Sequence, residues 1–309
     1  MKIPIIYRLA VIKEKLSGYK KQKQSFYKSL GYHLNLKHPK SYNEKIVWKK
    51  IYDRNPLLTI TADKYKVRDY LKMILGDDRA NSILIPLLHV TDKPDNIPFD
   101  KMPEEYMVKA NHGSGMNIII EKGMSVDKKN VISTCKEWLN RSYGFQSHEW
   151  AYQKIDRKII VEKLIRDEKG CIPKDYKFHI MNGKCKLIGV YTDRFKNVNC
   201  SLFDPNWNLL DVSWEIGSKI EAGNYVYKPD NLQDMINIAE KLGIPFDYVR
   251  IDLYSINGKI YFGEFTHYPG GGIAKIDPVS FDYELGAMWK IKKKYWKNIN
   301  KINKYNARL

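Results

Sequence analysis

Asp252 and Glu264 lie one in each arm of residues 249–272, VRIDLYSINGKIYFGEFTHYPGGG, which read as a hairpin with a glycine loop at its exit. The β-rich runs 249–254 and 259–263 flank Asn257-Gly258, a hairpin-turn signal. Two such carboxylates are hard oxygen donors suited to a Mg²⁺ ion that also holds nucleotide phosphates. Register decides whether they can act together. With a two-residue turn, Asp252 falls opposite Gly263 and Glu264 points to the other face. With a three-residue loop, Ile256-Asn257-Gly258, the acids sit diagonally on one face. The expectation is the three-residue loop, or another of odd length. The same residues also suit a surface hairpin whose acids are simply solvated.

Residues 107–117, MVKANHGSGMN, carry Lys109 on a strand into a loop with His112, Gly113, Ser114 and Gly115. Glycines let backbone N–H groups approach an anion and a lysine adds a point charge, which is phosphate-cradling chemistry. Neither the Walker A spacing nor GxGxxG is present. Residues 158–165, KIIVEKLI, end in Glu162, Lys163 and Leu164, whose backbone groups suit a flat base edge. A core strand with solvated charges is the competing reading. Asp175 and Lys177 alternate onto one face, as a surface ion pair or as ligand contacts. His112 and His267 stand beside the glycine loop and the hairpin, where structural roles compete with contact to phosphate or acceptor.

The elements that must position these residues can be read coarsely. Residues 1–35 place apolar side chains three or four apart with lysines between, the pattern of helix lying on a surface. Ser41 with Glu44 three residues later is a capping box and predicts a helix over 41–50. Residues 63–75, 128–141 and 231–242 also read as helical. Pro86, Pro94, Pro98 and Pro103 make 90–103 the candidate subdomain joint. Beyond it β patterns dominate, so an α+β arrangement of mostly antiparallel sheets is expected, organised as 1–103, 104–165 and 166–309.

A chain of 309 residues, 43% hydrophobic, can bury a sizeable core. It has no apolar run of the ~20 residues that span a bilayer and no signal-peptide pattern at its start, so a cytoplasmic location is expected. Cys135, Cys171, Cys185 and Cys200 show no CxxC pairing, so reduced thiols are expected. Lys plus Arg number 53 against 35 Asp plus Glu, a net charge of +18, which points to an anionic partner. Six of the lysines fall between residues 13 and 28, and residues 290–304, KIKKKYWKNINKINK, interleave lysines with Tyr295 and Trp296. Nucleic acid, an acidic membrane surface and an acidic polysaccharide each fit that charge, as does a basic helix that serves only solubility.

In this order, the lysine strand and glycine loop, the Glu162-Lys163-Leu164 strand, DYKF, Arg250-x-Asp252, Glu264-x-Thr266 and PGGG, the chain resembles the ATP-grasp enzymes. It resembles more closely their TupA-like branch, associated with teichuronopeptide and surface-polysaccharide synthesis. The resemblance runs from about Ser41 to Trp289 and includes ADKYKVRDYL at 62–71, DYKFHIMNGK and DYELGAMW. It implies an ATP-grasp fold with the nucleotide between two antiparallel sheets, a basic helical N-terminal region and a basic C-terminal helix. It further implies ATP and Mg²⁺, the metal joining the phosphates to Asp252 and Glu264. Lys109 and Lys163 would lie beside the nucleotide, with Asp175, Lys177 and His112 as further contacts. Glu162 and Leu164 would border adenine, and backbone groups of Lys163 and Leu164 would serve as donor and acceptor. Gly113, Ser114 and Gly115 would form a mobile lid, and Arg250 would stabilise charge on the transferring phosphoryl group. Thr266 stands where many members place Asn, which leaves a third protein ligand in doubt.

The implied activity is an ATP-dependent carboxylate–amine ligase working through an acyl phosphate. Its partners would be an anionic glycan or sugar-nucleotide acceptor and an amine donor such as an amino acid, with peripheral contact to the acidic inner face of the membrane and no nucleic acid. Two other classes compete. A glycosyltransferase of the metal-dependent type would carry Asp-x-Asp, which the chain lacks. A non-enzymatic polyanion binder would use the basic ends alone.

Overall fold

The computed structural model describes residues 5–192, 199–215, 221–222 and 225–295. Helices α1 (Ile5–Leu16) and α2 (Lys20–Leu30) open the chain. Helix α3 (Tyr42–Tyr52) begins with the expected capping box: Ser41 Oγ accepts the Glu44 N–H at 3.1 Å, and Glu44 Oε2 accepts the Ser41 N–H at 3.1 Å. Helices α4 (Leu57–Ala62), α5 (Val67–Leu75) and α6 (Asp77–Ile83) lead into the smaller of two main sheets.

That sheet contains β1 (Leu87–Thr91), β2 (Tyr106–Ala110), β3 (Asn117–Ile120) and β4 (Ile159–Lys163), in the antiparallel order β1-β4-β2-β3. Helix α7 (Lys128–Asn140) turns Val131 and Cys135 onto Val108, Ala110 and Val161 of the sheet. Strand β1 precedes the proline-rich stretch, and Ile97, Phe99 and Met102 within that stretch pack on the same core. The stretch 90–103 is therefore part of the smaller layer, not a joint between layers, and the expected boundary at 103 cuts across this sheet.

The rest of the chain adds β5 (Asp175–Met181), β6 (Lys184–Thr192), β7 (Asn199–Phe203), β8 (Ser213–Glu215), β9 (Glu221–Ala222), α8 (Leu232–Gly243), β10 (Tyr248–Ile256), β11 (Lys259–Thr266), β12 (Lys275–Asp277) and α9 (Val279–Met288). The larger sheet runs β11-β10-β5-β6-β7-β9, antiparallel except at β7-β9, while β8 and β12 pair separately. Helix α8 lays Met235, Ala239 and Leu242 against it, and β5 is buried along its whole length. The alternating polar residues of β5, Asp175, Lys177 and His179, are thus buried as well, against the expectation of a surface ion pair.

The N-terminal region is tied to the far end of the chain. Asp282 on α9 accepts the Asn43 backbone N–H and side-chain amide, each at 2.9 Å, and a hydrogen bond from Tyr32 Oη. Residues 289–295 do not form the expected basic C-terminal helix. Trp289 is fully buried, Lys290 exchanges hydrogen bonds with the Asn182 side chain, and Lys293–Tyr295 form one 3₁₀ turn. Trp296 and the lysines after it lie outside the described residues. Among the described residues no helix is long and apolar enough to cross a membrane.

Asp282→Ala orphans the buried Asn43 backbone N–H and removes one of two partners from the Asn43 amide and the half-buried Tyr32 hydroxyl, and a buried donor left unpaired costs about 1–3 kcal/mol. Urea unfolding of that variant should show stability lower by at least about 2 kcal/mol. An unchanged midpoint would mean that α3 and α9 are not docked by this carboxylate.

Candidate functional site

A cleft of about 310 Å³ separates the two sheets. Its roof includes Lys109, Glu162, Lys163, Leu164 and the Gly113-Ser114-Gly115 loop, and its floor includes Asp175, Asp252, Tyr254 and Glu264. The two acids do share a face, but not for the expected reason. Asn257 and Gly258, at φ of 51° and 72°, make a two-residue turn with Ile256 opposite Lys259. The three-residue loop is absent. Between Asp252 and Leu253 the pairing slips: Leu253 faces Phe262 and Asp252 faces Glu264, leaving Gly263 as the extra residue of a β-bulge. A Cβ on Gly263 would lie 2.9 Å from the Asp252 carbonyl oxygen and 3.2 Å from the Tyr254 ring. Glycine is what lets the strand close up there.

The bulge completes a row across four strands, with Gly189, Lys177, Asp252 and Glu264 as successive partners from β6 to β11. Lys177 Nζ lies 2.6 Å from both Asp175 Oδ2 and Asp252 Oδ2. Arg250, two residues from Asp252 on the same face, donates from Nε to Oδ1 and from Nη2 to Oδ2, both at 2.7 Å. The same Nη2 reaches Thr266 Oγ1 at 2.9 Å, and Thr266 Oγ1 in turn donates to Glu264 Oε1 at 3.4 Å. Asp252 is 2% exposed, whereas the Glu264 side chain keeps 35% of its surface. Burial pushes the Asp252 carboxyl up, but the charges and hydrogen bonds of Arg250 and Lys177 outweigh it and hold the group well below the usual carboxylate range. Glu264 is lowered too: burial opposes ionisation, and Lys64, Arg250 and Lys177 overcome burial and the repulsion of Asp252.

On the roof, Lys109 Nζ pairs with Glu162 Oε2 at 2.8 Å, and Arg68 reaches Glu162 Oε1 at 3.5 Å. Lys109 faces Ile160 across the β2–β4 ladder, so Glu162 two residues on lies on the same face. The Lys163 N–H donates to the Pro86 carbonyl at 3.0 Å, which removes it as the expected base-reading donor. Gly113 is required by packing: a Cβ there would lie 2.4 Å from Met116 Cε and 2.8 Å from the Tyr143 ring.

Four of the residues weighed for the site do not line the cleft. His112 is 1% exposed and its ring nitrogens face the Trp138 carbonyl at 3.0 Å and Asn111 Oδ1 at 3.3 Å. Burial first, with the charges of Arg157 and Lys64, pushes it down to about 4, so it is a neutral packing residue. Lys177 and Arg250 lie beneath Asp252 and act through it. His267 is fully buried and shares a hydrogen bond with Thr61 Oγ1 at 2.8 Å.

Two charged cleft residues were not anticipated, Lys64 and Arg68. Both belong to ADKYKVRDYL, whose Asp63 accepts the Tyr65 N–H at 2.8 Å and the Asn111 amide at 2.8 Å, fastening the segment to the end of β2. Lys64 Nζ then donates to the Gly113 carbonyl at 2.7 Å and stands 3.3 Å from Glu264 Oε2. An aspartate immediately before a lysine-bearing helix start was the signal available in the sequence.

A nucleotide-sized cleft between two antiparallel sheets, with a glycine loop above and facing carboxylates below, defines an ATP-grasp protein. Residues 44–290 match the model of the TupA-like ATPgrasp family, and the chain belongs to that family. No curated protein matches it. Among solved structures, D-alanine–D-alanine ligase from Bacillus anthracis is similar at 18% identity and a TM-score of 0.44, over 81% of this chain and 68% of that one. The Helicobacter pylori D-alanine–D-alanine ligase gives 17%, 0.42, 78% and 64%. Phosphoribosylamine–glycine ligase from Thermotoga maritima gives 11%, 0.42, 70% and 50%. The chain thus spans about half to two thirds of the length of the structures it resembles.

Asp252 and Glu264 both ionise more readily folded than unfolded. Their stabilisation is therefore complete above the unfolded value, near pH 4, and is lost as pH falls toward the folded one. The stability gap between wild type and Asp252→Asn should be widest at neutral pH and narrow below about pH 4. Urea titrations across that range test it, and a gap of constant size would contradict the burial of an ionised Asp252.

Proposed function

We propose that this protein is an ATP-dependent carboxylate–amine ligase. The observation that carries the reading is the direct opposition of Asp252 and Glu264 on the floor, beneath a loop that a lysine can reach from below. Among the described residues no cluster of three or more His, Cys, Asp or Glu is arranged as a metal cage. Two hard carboxylates fit a Mg²⁺ ion that completes its shell with phosphate oxygens, and Asp252 and Glu264 would hold it. Bound there, the metal would neutralise charge on the terminal phosphates.

The chain's own groups do the rest. Lys109, Glu162, Lys163 and Leu164 border the nucleotide, and Gly113, Ser114 and Gly115 cover its phosphate end. Arg250 and Lys177 position Asp252, and Thr266 helps orient Glu264. A substrate carboxylate oxygen attacks the γ-phosphorus and ADP leaves. An amine nitrogen then attacks the acyl carbon, phosphate departs with the acyl–oxygen electron pair, and the nitrogen gives up its proton. Closure of the glycine loop keeps water from the acyl phosphate. The family membership and the net charge of +18 support a uronate-bearing surface polysaccharide or its precursor as the carboxylate substrate, processed in the cytoplasm with peripheral contact to an acidic membrane.

Mg²⁺-dependent ADP release, screened over uronates with amines, tests the activity. Asp252→Asn and Glu264→Gln should each lower it by about a hundredfold or more while circular dichroism stays native. Near-normal turnover in either folded variant would remove the metal assignment. Mg-ATP should also slow hydrogen exchange at Gly113, Ser114 and Gly115, and Lys109→Ala should weaken nucleotide affinity. Unchanged exchange in the loop would argue against a lid.

A further inference from the structure

A second cavity, of about 350 Å³, lies outside the cleft and shares no lining residue with it. Its titratable lining is basic throughout: Lys37, His38, Lys45, Lys290 and Lys293, with no Asp or Glu. Pro39, Trp48, Trp289 and Ile291 give it an apolar wall. Both sides are held by hydrogen bonds. Asn35 Oδ1 accepts the backbone N–H groups of Lys37 and His38 at 3.1 and 2.9 Å, and Lys290 is fastened to the Asn182 side chain.

Within this cavity Lys45 is half-buried, and among the described residues its Nζ donates only to the Gly286 and Trp289 carbonyls, at 2.6 and 2.5 Å. The acids close enough to act on it are Asp247 and Glu44, and both are engaged elsewhere. Glu44 accepts the N–H groups of Asn35, Lys40 and Ser41 at 2.8, 2.7 and 3.1 Å. Asp247 accepts Lys49 Nζ and the Tyr248 N–H at 2.8 Å and the Lys292 N–H at 3.1 Å. Residues 291–309 add further lysines and no Asp or Glu. Trp289 also keeps its Nε1–H buried with no acceptor among the described residues, a costly state for a donor.

We propose that this cavity binds a phosphate ester, with Lys45 meeting the phosphate oxygens, Lys37, His38, Lys290 and Lys293 supplying the surrounding charge, and the apolar wall covering the organic part. The site goes beyond the ligase reading and does not depend on it. A phosphate monoester brings about −1.5 to −2 charge at neutral pH and three acceptor oxygens, against the single charge of a carboxylate. No arginine lines the cavity, so the fork that matches a planar carboxylate is missing, whereas ammonium groups serve phosphate as point charges. Burial lowers Lys45, with Asp247 and Glu44 opposing, so a bound dianion favours its charged form. A small soluble ester and a lipid headgroup offer the same chemistry.

The test uses the full chain saturated with Mg-ADP, which fills the cleft. Its readout is the Trp289 indole N–H resonance, identified by its loss in Trp289→Phe. Glycerol 3-phosphate should shift that resonance saturably, and glycerate, a carboxylate of similar size, should do so about tenfold or more weakly. Lys45→Met should weaken the phosphate response by about tenfold or more while Mg-ADP affinity stays within about twofold. Should that variant not fold, Lys37→Glu combined with Lys290→Glu, at two exposed positions, should give the same loss. A saturable response to glycerol 3-phosphate assigns the site to a soluble ester. No such response, but preferential sedimentation with phosphatidylcholine vesicles carrying phosphatidic acid over those carrying phosphatidylserine at equal charge, lost in the double variant, assigns it to a lipid headgroup. Equal responses to glycerate and glycerol 3-phosphate, or neither a shift nor a vesicle preference, overturn the site.

Discussion

Asp252 is a carboxylate with almost no contact with solvent, and an isolated buried charge is so costly that it must be neutralised where it stands. Arg250 meets it with a two-pronged guanidinium and Lys177 with an ammonium, both placed by strand alternation. The pairing continues outward through Asp175, Glu264 and Lys64, so three acids balance three bases. Such a cluster is weak evidence for stability, because apolar residues of similar volume often serve as well. What it does supply is a fixed orientation: Asp252 cannot rotate without breaking bonds to two cations, while Glu264, at the open edge, remains free to take a ligand.

The same cluster joins floor to roof. Lys64 comes from neither sheet; it is delivered by the turn before α5, which Asp63 fastens to Asn111 beside β2. Its ammonium spans the Gly113 carbonyl and Glu264, so the glycine loop and the hairpin are in electrical contact through one side chain. A cation arriving at Glu264 shares that carboxylate with Lys64, which links occupancy of the floor to the position of the loop. Lys49 plays a structural counterpart deeper in the molecule, bridging Asp53 at 2.5 Å and Asp247 at 2.8 Å, so α3 is bound to the start of β10 by a buried ion pair.

Much of this was legible in residue types and local spacing. The capping box at Ser41 and Glu44, the strands around Lys109, Glu162 and Asp175, and the Asn257-Gly258 turn are all local signals, decided by near neighbours in the chain. The ordered series of motifs was enough to indicate the family. Periodicity could also place Asp175 with Lys177, because two-residue spacing fixes a face whatever the rest of the fold does.

Tertiary structure decided what depends on contacts far apart in sequence. The sequence could not show that Gly263 is squeezed out as a bulge, because the cause is the close approach of the Asp252 carbonyl on the neighbouring strand, and the turn alone implies the opposite face. It could not separate His112, turned into packing against Trp138, from the loop residues beside it, nor bring Lys64 across to Glu264. Residue identity and local spacing thus determined the chemistry available and the elements that carry it. Which groups meet, and with what charge, was fixed only when the sheets and helices packed and excluded water around them.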